Sequence, residues 1–332
     1  MYNIAKLSVT DRKTLFQNTA EKKGLHPAIV EKDFWVCLTL KYLFEDSDWK
    51  DKLIFKGGTS LSKAYHIIER FSEDIDLILS WDVINYDNDD PWKDRSRTQQ
   101  DKYNKQMNED TQRFLESSFV PSLVDGLVHQ CGINLEIVMD GHDEQVVDIR
   151  YPQLFQDQYL RDEVRLEIGP LAEGIPSHTV TITSFAAEEY GSFFEARSAQ
   201  VNTVDAERTF WEKTTILHKV ANRDASKAFP VRYARHYYDL YCLSRSEIKS
   251  KAFSKKELLD QDVVFKKKFY YSGKAGYDTA KTQTIKLLPM DSDLPALKED
   301  YTHMANMIYG VIPDFYNMLS TLKGLEEEIH QL

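Results

Sequence analysis

Residues 53 to 79 of this 332-residue chain read LIFKGGTSLSKAYHIIERFSEDIDLIL, and few folds accommodate that order of signals. A short apolar run meets two glycines, helical spacing follows at Leu61, Ala64, Tyr65 and Ile68, and a second apolar run carries two aspartates two residues apart. Side chains on a strand alternate faces, so Ile75, Leu77 and Leu79 share one face and Asp74 and Asp76 project together from the other. Hard divalent cations take oxygen ligands, usually one or two protein carboxylates plus substrate phosphates, and paired metal ions clamp both oxygens of an in-line displacement. Upstream, Leu53 to Phe55 reads as a buried strand. Gly57 and Gly58 let the backbone turn closely under a bound anion, and Thr59 or Ser60 opens a helix that brings the chain back to the aspartates. Taken singly, Gly-Gly is usually a plain turn and Asp-x-Asp a solvated face; in this order they describe a site for phosphoryl chemistry.

A chain of this length holds about two domains. Its 42% hydrophobic and 29% charged residues are ordinary for a globular protein. The longest apolar stretch, Phe34 to Phe44, is broken by Thr39 and Lys41 and falls short of the roughly 20 residues a membrane span needs. The amino terminus lacks a charged-then-apolar signal layout, so a cytoplasmic protein with no membrane contact is expected. Cys37, Cys131 and Cys242 have neither disulfide nor zinc spacing and are expected to be reduced.

The net charge of -11 argues against nonspecific binding to a polyanion. Between Arg245 and Lys274, however, nine Lys or Arg stand against four acids. With Phe265, Phe269, Tyr270 and Tyr271, this run reads either as a surface for an RNA backbone that stacks an end base, or as a solvated amphipathic helix with an aromatic core stripe.

Helices are expected over residues 10–23, 26–45 and 114–128, with a loop or frayed helix start over 85–108. Strands are expected over 133–139, 146–151, 163–168 and 179–183, giving an α+β domain over residues 1–200 with a mixed sheet flanked by helices. From Asp205 the pattern turns helical, with further helices near 231–244, 254–271 and 295–323, so residues 201–332 form a helical domain. Glu136 and Glu167 are further strand carboxylates that could share the polar face of the aspartates. The alternation of Glu163, Arg165 and Glu167 against Val164, Leu166 and Ile168 favours Glu167, the alternative being a solvated edge. Lys213 borders the apolar stripe of the helix after Asp205, and Arg232, Arg235 and Asp239 fall on one helix face. Alone, these suit a snorkelling lysine and an ordinary Arg235–Asp239 ion pair.

Gly-Gly-Thr-Ser-Leu at 57 to 61 and Arg-Phe-Ser-Glu-Asp-Ile-Asp-Leu at 70 to 77 resemble the signature of AbiEii/AbiGii-type toxins, nucleotidyltransferases of the DNA polymerase beta superfamily found in abortive-infection toxin–antitoxin systems. Glu31-Lys32-Asp33-Phe34 resembles that family's amino-terminal helix, Glu212-Lys213 its helical Glu-Lys motif, and Arg235 to Leu240 its late Arg-Asp-x-x-Asp-Leu motif. His236 stands where the late motif has Asp. The resemblance spans about residues 25 to 245 and implies a polymerase-beta-like core with a C-terminal helical domain completing the nucleotide and acceptor site. It implies that Asp74 and Asp76, with Glu167, hold Mg²⁺ or Mn²⁺. Gly57, Gly58, Thr59 or Ser60, Arg70 and Ser72 would contact a nucleoside triphosphate; Lys213 would sit by its phosphates, and Asp239 would orient Lys213 or a substrate hydroxyl. It further implies transfer of a nucleoside monophosphate to an acceptor hydroxyl, the 3′ end of tRNA being favoured, and a cognate antitoxin protein. A small-molecule or protein nucleotidyltransferase has the same metal site, and a catalytically silent nucleotide sensor is an answer of another class.

Overall fold

In a computed structural model, which describes residues 1–157, 160–172 and 174–332, the chain divides into two compact units. The first comprises Met1–Ala64 and Ser72–Thr203, and the second Tyr65–Phe71 and Val204–Leu332.

The first unit runs through α1 (Val9–Lys23), α2 (Pro27–Lys41), β1 (Leu53–Lys56), α3 (Gly57–Lys63), β2 (Asp74–Leu79), α4 (Arg97–Phe114), β3 (Glu136–Met139), β4 (Val146–Arg150), β5 (Glu163–Gly169), β6 (Ser177–Thr183), α5 (Phe185–Tyr190) and β7 (Ser198–Val204). Its mixed sheet has the order β3-β4-β5-β2-β1-β7-β6. β2 pairs antiparallel with β1 and parallel with β5, so the aspartate strand is central and both its edges are hydrogen-bonded. The registers Phe55↔Leu77, Ile75↔Leu166 and Val147↔Leu166 set buried apolar side chains on one common face. The same registers put Lys56, Asp74, Asp76, Arg165, Glu167 and Asp148 together on the other.

Helix α2 is buried nearly all round, including the three charged residues of its Glu-Lys-Asp-Phe motif. Each has a partner inside the unit. Glu31 accepts from the backbone N–H of Leu154 and Phe155, Lys32 pairs with Glu73 at 2.8 Å, and Asp33 pairs with Lys63 at 2.7 Å while accepting from the Phe185 N–H. The motif therefore braces the end of α3 and the residue just before Asp74, as buried charges must be paired to be tolerated.

The second unit contains α6 (Ala206–Ala221), α7 (Ala234–Ser244), α8 (Ile248–Ser254), α9 (Glu257–Phe269), α10 (Leu294–Ala305) and α11 (Phe315–Ile329). Helix α6 is its hub, packing on α7, α8 and α9, while α7 also meets α10 and α11.

Several boundaries differ from the sequence expectation. Helix α3 ends at Lys63, and of the expected stripe only Leu61 lies on it. His66 takes a left-handed conformation (φ 52°), and the Tyr65 hydroxyl donates to the Val204 carbonyl, so residues 65–71 follow contacts of the second unit rather than helical period. The polar stretch expected as a loop or frayed helix start over 85–108 is helical from Arg97, because Ser96 and Gln99 form a reciprocal capping box. The expected helix over 254–271 begins only at Glu257, after α8 ends at Ser254. That over 295–323 is broken after Ala305: Phe71 N–H donates to Met307, Tyr309 N–H donates to Glu69, and a Cβ on Gly310 would lie 1.8 Å from Glu69 Oε2. Strand β7 was not foreseen. No helix among the described residues is long and apolar enough to cross a membrane.

Candidate active site

The first cluster is built on β1, α3 and β2. Gly57 opens α3 at φ +83°, a conformation that side chains with a Cβ disfavour. The reason lies opposite: a Cβ there would meet Asp76 Oδ2 at 1.9 Å and Asp76 Cγ at 2.6 Å. The aspartate side chain thus rests on the glycine turn, and the absence of a Cβ makes that approach possible. Thr59 and Ser60 are buried, and their hydroxyls serve the backbone. Thr59 Oγ1 donates to the carbonyls of Asp74 (2.5 Å) and Ser72 (3.2 Å), and Ser60 Oγ donates to the Gly57 carbonyl (2.8 Å). These two residues fasten the turn to the aspartate strand, and what the turn offers an anion is its backbone N–H groups.

Asp74 and Asp76 are half-buried while Ile75 and Leu77 between and beyond them are fully buried, the alternation expected of a strand with one wet face. Asp74 Oδ1 is buried with no hydrogen-bond partner among the described residues. Such orphans are rare in native proteins and call for an explanation such as an ion. Glu167 lies on β5 in register with Asp76 and faces the same side. Its carboxylate is about half exposed and 3.8 Å from Arg165 Nε. Among the described residues no three His, Cys, Asp or Glu side chains converge as metal ligands. The pair at 74 and 76, with one unpartnered oxygen, fits a hard cation that takes its other ligands from water and phosphate.

Three more charged residues share this face, of which the sequence pattern had marked only Arg165. Lys56 stands opposite Asp76 in the β1–β2 register. Arg165 is beside Asp74 and approaches Asp140 (3.1 Å) and Asp148 (3.7 Å). Asp148 is buried, and burial raises its pKa against the pull of Arg165. Strand alternation alone would have placed all three beside the aspartates once the pairing was known.

The second cluster lies wholly within the helical unit. Arg70 grips Asp239 bidentately, Nε to Oδ1 at 2.7 Å and Nη2 to Oδ2 at 2.9 Å. Lys213 Nζ donates to Asp239 Oδ2 at 2.8 Å and lies 3.1 Å from His236 Nδ1. Asp239 is fully buried, and although burial opposes ionisation, Arg70 and Lys213 hold its carboxyl well below the usual range. Burial lowers the Lys213 pKa despite Asp239, with Arg70 and Arg235 adding to the effect. Asp239 therefore pairs with Arg70 and Lys213, where local spacing suggested Arg235. Arg70, a candidate phosphate contact in the sequence, is committed to Asp239, and Ser72 gives its carbonyl to Thr59. Glu136 pairs with Arg150 on the outer β3–β4 ladder.

The basic run over 245–274 is largely neutralised in place. Lys249, Lys251, Lys255, Lys266, Lys267 and Lys274 pair with Glu328, Glu247, Glu207, Asp262, Asp278 and Asp224. Phe265 and Phe269 are core, and Tyr270 and Tyr271 are half-exposed.

Among solved structures, the chain is similar to MenT4, a nucleotidyltransferase toxin from Mycobacterium tuberculosis H37Rv, at 16% identity over 95% of this chain and 98% of that one, with a TM-score of 0.47. A candidate nucleotidyltransferase from H. pylori is similar at 14% identity over 92% and 96% of the two chains, with a TM-score of 0.45. No curated protein matches the sequence. The sequence profile of the family described as nucleotidyl transferase AbiEii toxin, type IV TA system, matches residues 40–323, which takes in both clusters and most of the chain. The chain belongs to the AbiEii family of nucleotidyltransferase toxins of type IV toxin–antitoxin systems.

Proposed function

We propose that this toxin transfers a nucleoside monophosphate from a nucleoside triphosphate to an acceptor hydroxyl, the 3′ end of a tRNA being the favoured acceptor, in the cytoplasm and under the control of a cognate antitoxin. The observation that carries this reading is the contact between the Asp76 carboxylate and the Gly57 turn, with Asp74 Oδ1 buried and unpartnered beside it. Asp74 and Asp76 would hold Mg²⁺ or Mn²⁺, and Glu167 reaches the same ion if its side chain turns from Arg165. A bound ion would supply Lewis acidity and a lowered pKa for the attacking hydroxyl. Gly57, Gly58 and the backbone of Thr59 and Ser60 take the phosphates, since the first N–H groups of a helix lack internal partners.

The test is incubation of the purified protein with each labelled nucleoside triphosphate, Mg²⁺ and total tRNA. Label in tRNA that disappears in Asp76→Ala, with the circular dichroism spectrum unchanged, is the expected result. Label only in protein or in a small molecule would move the acceptor to another class. Nucleotide binding without any transfer would make the chain a sensor, and transfer surviving in Asp76→Ala would remove the aspartates from the chemistry.

A further inference from the structure

Arg70 and Arg165 are held in different ways. Arg70 closes the fork of Nε and Nη2 on Asp239, at 2.7 and 2.9 Å, so that edge is filled. The Arg165 side chain makes one hydrogen bond among the described residues, from Nη1 to Asp140 Oδ2 at 3.1 Å. Its other carboxylate neighbours stay beyond hydrogen-bond length: Asp148 Oδ1 is 3.7 Å from Nη1, and Glu167 Oε1 is 3.8 Å from Nε. Asp148 Oδ1 is itself buried without a hydrogen-bond partner among the described residues. Asp140 is a fixed anchor, because its Oδ1 accepts from the backbone N–H of His142 and of Asp143, both at 2.8 Å. The guanidinium is thus gripped at its Nη1 corner. The Nε–Nη2 edge, which matches a phosphate or carboxylate with two parallel N–H bonds, is left on the side of Glu167. Glu167 is about half exposed and in register with Asp76, so that edge opens on the wet face that carries the aspartates.

The sheet order sets what this edge meets. Asp74 and Asp76 on β2 stand between the α3 turn, which follows β1, and Arg165, which pairs with Asp74 in the β2–β5 register. In-line displacement forms the bond from acceptor oxygen to α-phosphorus opposite the breaking bond to pyrophosphate, which keeps the bonding electrons while the hydroxyl proton passes to water. With the pyrophosphate on the α3 turn, the acceptor enters over β5. A 3′-terminal hydroxyl of RNA brings a phosphodiester on the same nucleotide, and a simple alcohol brings none. We propose that the Nε–Nη2 edge of Arg165 binds the phosphodiester nearest the 3′ hydroxyl of an RNA acceptor, with Asp140 holding the guanidinium from behind. This rests on the transfer reaction and the phosphate seat given under Proposed function. Arg165 has Asp74, Asp140, Asp148 and Glu167 for neighbours, so an incoming polyanion is repelled around the fork and settles on it, which sets the register of the strand end.

The test compares full-length wild type, Arg165→Lys and Arg165→Gln on tRNA and on a short RNA with the same 3′ end, whose last phosphodiester is either native or an uncharged methylphosphonate. Arg165→Gln is expected to raise KM for the native RNA on the order of tenfold, with KM for the nucleoside triphosphate little changed. The methylphosphonate should impose a similar loss on the wild type and none further on Arg165→Gln. Arg165→Lys, a point charge without the fork, should fall between the two. Binding of the native RNA without metal or nucleotide, followed against salt, should lose roughly 0.7 from its logarithmic slope in Arg165→Gln, the share of one phosphate on a single strand. An unchanged KM for RNA in Arg165→Gln, or equal methylphosphonate losses with and without Arg165, would overturn the proposal and leave nucleotidyl transfer in place. If Arg165→Gln fails to fold, a KM and a methylphosphonate loss in Arg165→Lys equal to those of the wild type would overturn it. A wild type that binds RNA but labels none would overturn the transfer reading instead, with the salt slopes still deciding the phosphate contact; a wild type that binds no RNA would overturn both.

Discussion

The two charged clusters are built on opposite principles. In the helical unit, Asp239 is fully buried and meets two cations, with every oxygen engaged by Arg70 or Lys213. On the sheet, Asp76 rests against a glycine turn and Asp74 keeps a buried oxygen without a partner among the described residues. Burying charge costs several kcal/mol per ion, and a saturated network offsets that cost internally. An unsaturated pair leaves part of the cost standing until a ligand arrives. The first arrangement holds a side chain in place; the second leaves a buried carboxylate oxygen without a partner among the described residues. Substitutions should therefore split, with chemistry lost at the sheet and stability lost in the helices.

The largest effect is expected from Asp76→Asn, which keeps the shape and removes the charge. Transfer should fall by roughly a thousandfold or more. The denaturant midpoint should stay level or rise, because functional sites commonly carry uncompensated charge at the expense of stability. Asp239→Asn should behave in reverse. It breaks the bidentate grip of Arg70 and leaves two buried cations facing an amide, a change worth about 3 kcal/mol or more in urea unfolding. If Asp239→Asn unfolds at the wild-type midpoint, the network is not the structural element described here and the contrast between the clusters fails.

What the sequence revealed, and what it hid, follows the same division. The facing aspartates were legible because strand alternation is local: Ile75 and Leu77 buried, Asp74 and Asp76 turned the other way. The Gly57 turn was legible in kind, though the use of the Thr59 and Ser60 hydroxyls on backbone carbonyls was not, since nothing in GGTS says whether a hydroxyl points in or out. Arg70 and Asp239 are 169 residues apart, and no spacing rule connects them. Spacing instead suggested Arg235 for Asp239, which would be right for an isolated helix and is overridden by packing. Helix α4 was read only as a loop or frayed helix start because it is polar almost all round, yet its capping box was present as Ser96 and Gln99. Strand β7 was readable too, in the alternation of buried Ala199, Val201 and Thr203. The motif Glu31-Lys32-Asp33-Phe34 was seen only as a resemblance; its burial depends on partners at Glu73, Lys63 and Leu154.

Glu31 separates the effect of burial from that of pairing. Like Asp239 it is buried, but its hydrogen bonds come from the backbone of Leu154 and Phe155. Burial outweighs those bonds and the attraction of Arg12, and pushes its pKa up to about 7, opposite in direction to Asp239. A raised carboxyl pKa means that the folded state binds the proton more tightly than the unfolded one. Stability from this group is full below the unfolded value of about 4.3 and is lost as pH rises toward 7. Glu31→Gln, whose side chain stays neutral, should therefore gain on the wild type by about 2 to 3 kcal/mol between pH 5 and pH 8. Asp239→Asn should show its deficit across that whole range, because the depressed Asp239 carboxyl gives up its contribution only as pH falls below about 4. Parallel unfolding curves for Glu31→Gln and wild type across pH would mean that the backbone bonds cancel the burial.

A smaller loss of stability than in Asp239→Asn, and the sharpest test of the comparison, is expected at Gly57. Alanine there must adopt a left-handed conformation, costing about 1 to 2 kcal/mol. Its methyl would also occupy the position 1.9 Å from Asp76 Oδ2, so the carboxylate must turn away. Transfer should then fall further than strain alone explains, since a displaced ligand loses far more rate than fold. In a double-mutant cycle, Gly57→Ala should cost almost nothing more in transfer once Asp76 is already Asn, while its stability cost should shrink only by the relief of the charge contact. Additive losses in transfer would mean that the glycine turn and the aspartate act separately, and the cation site would then have to be built without Gly57.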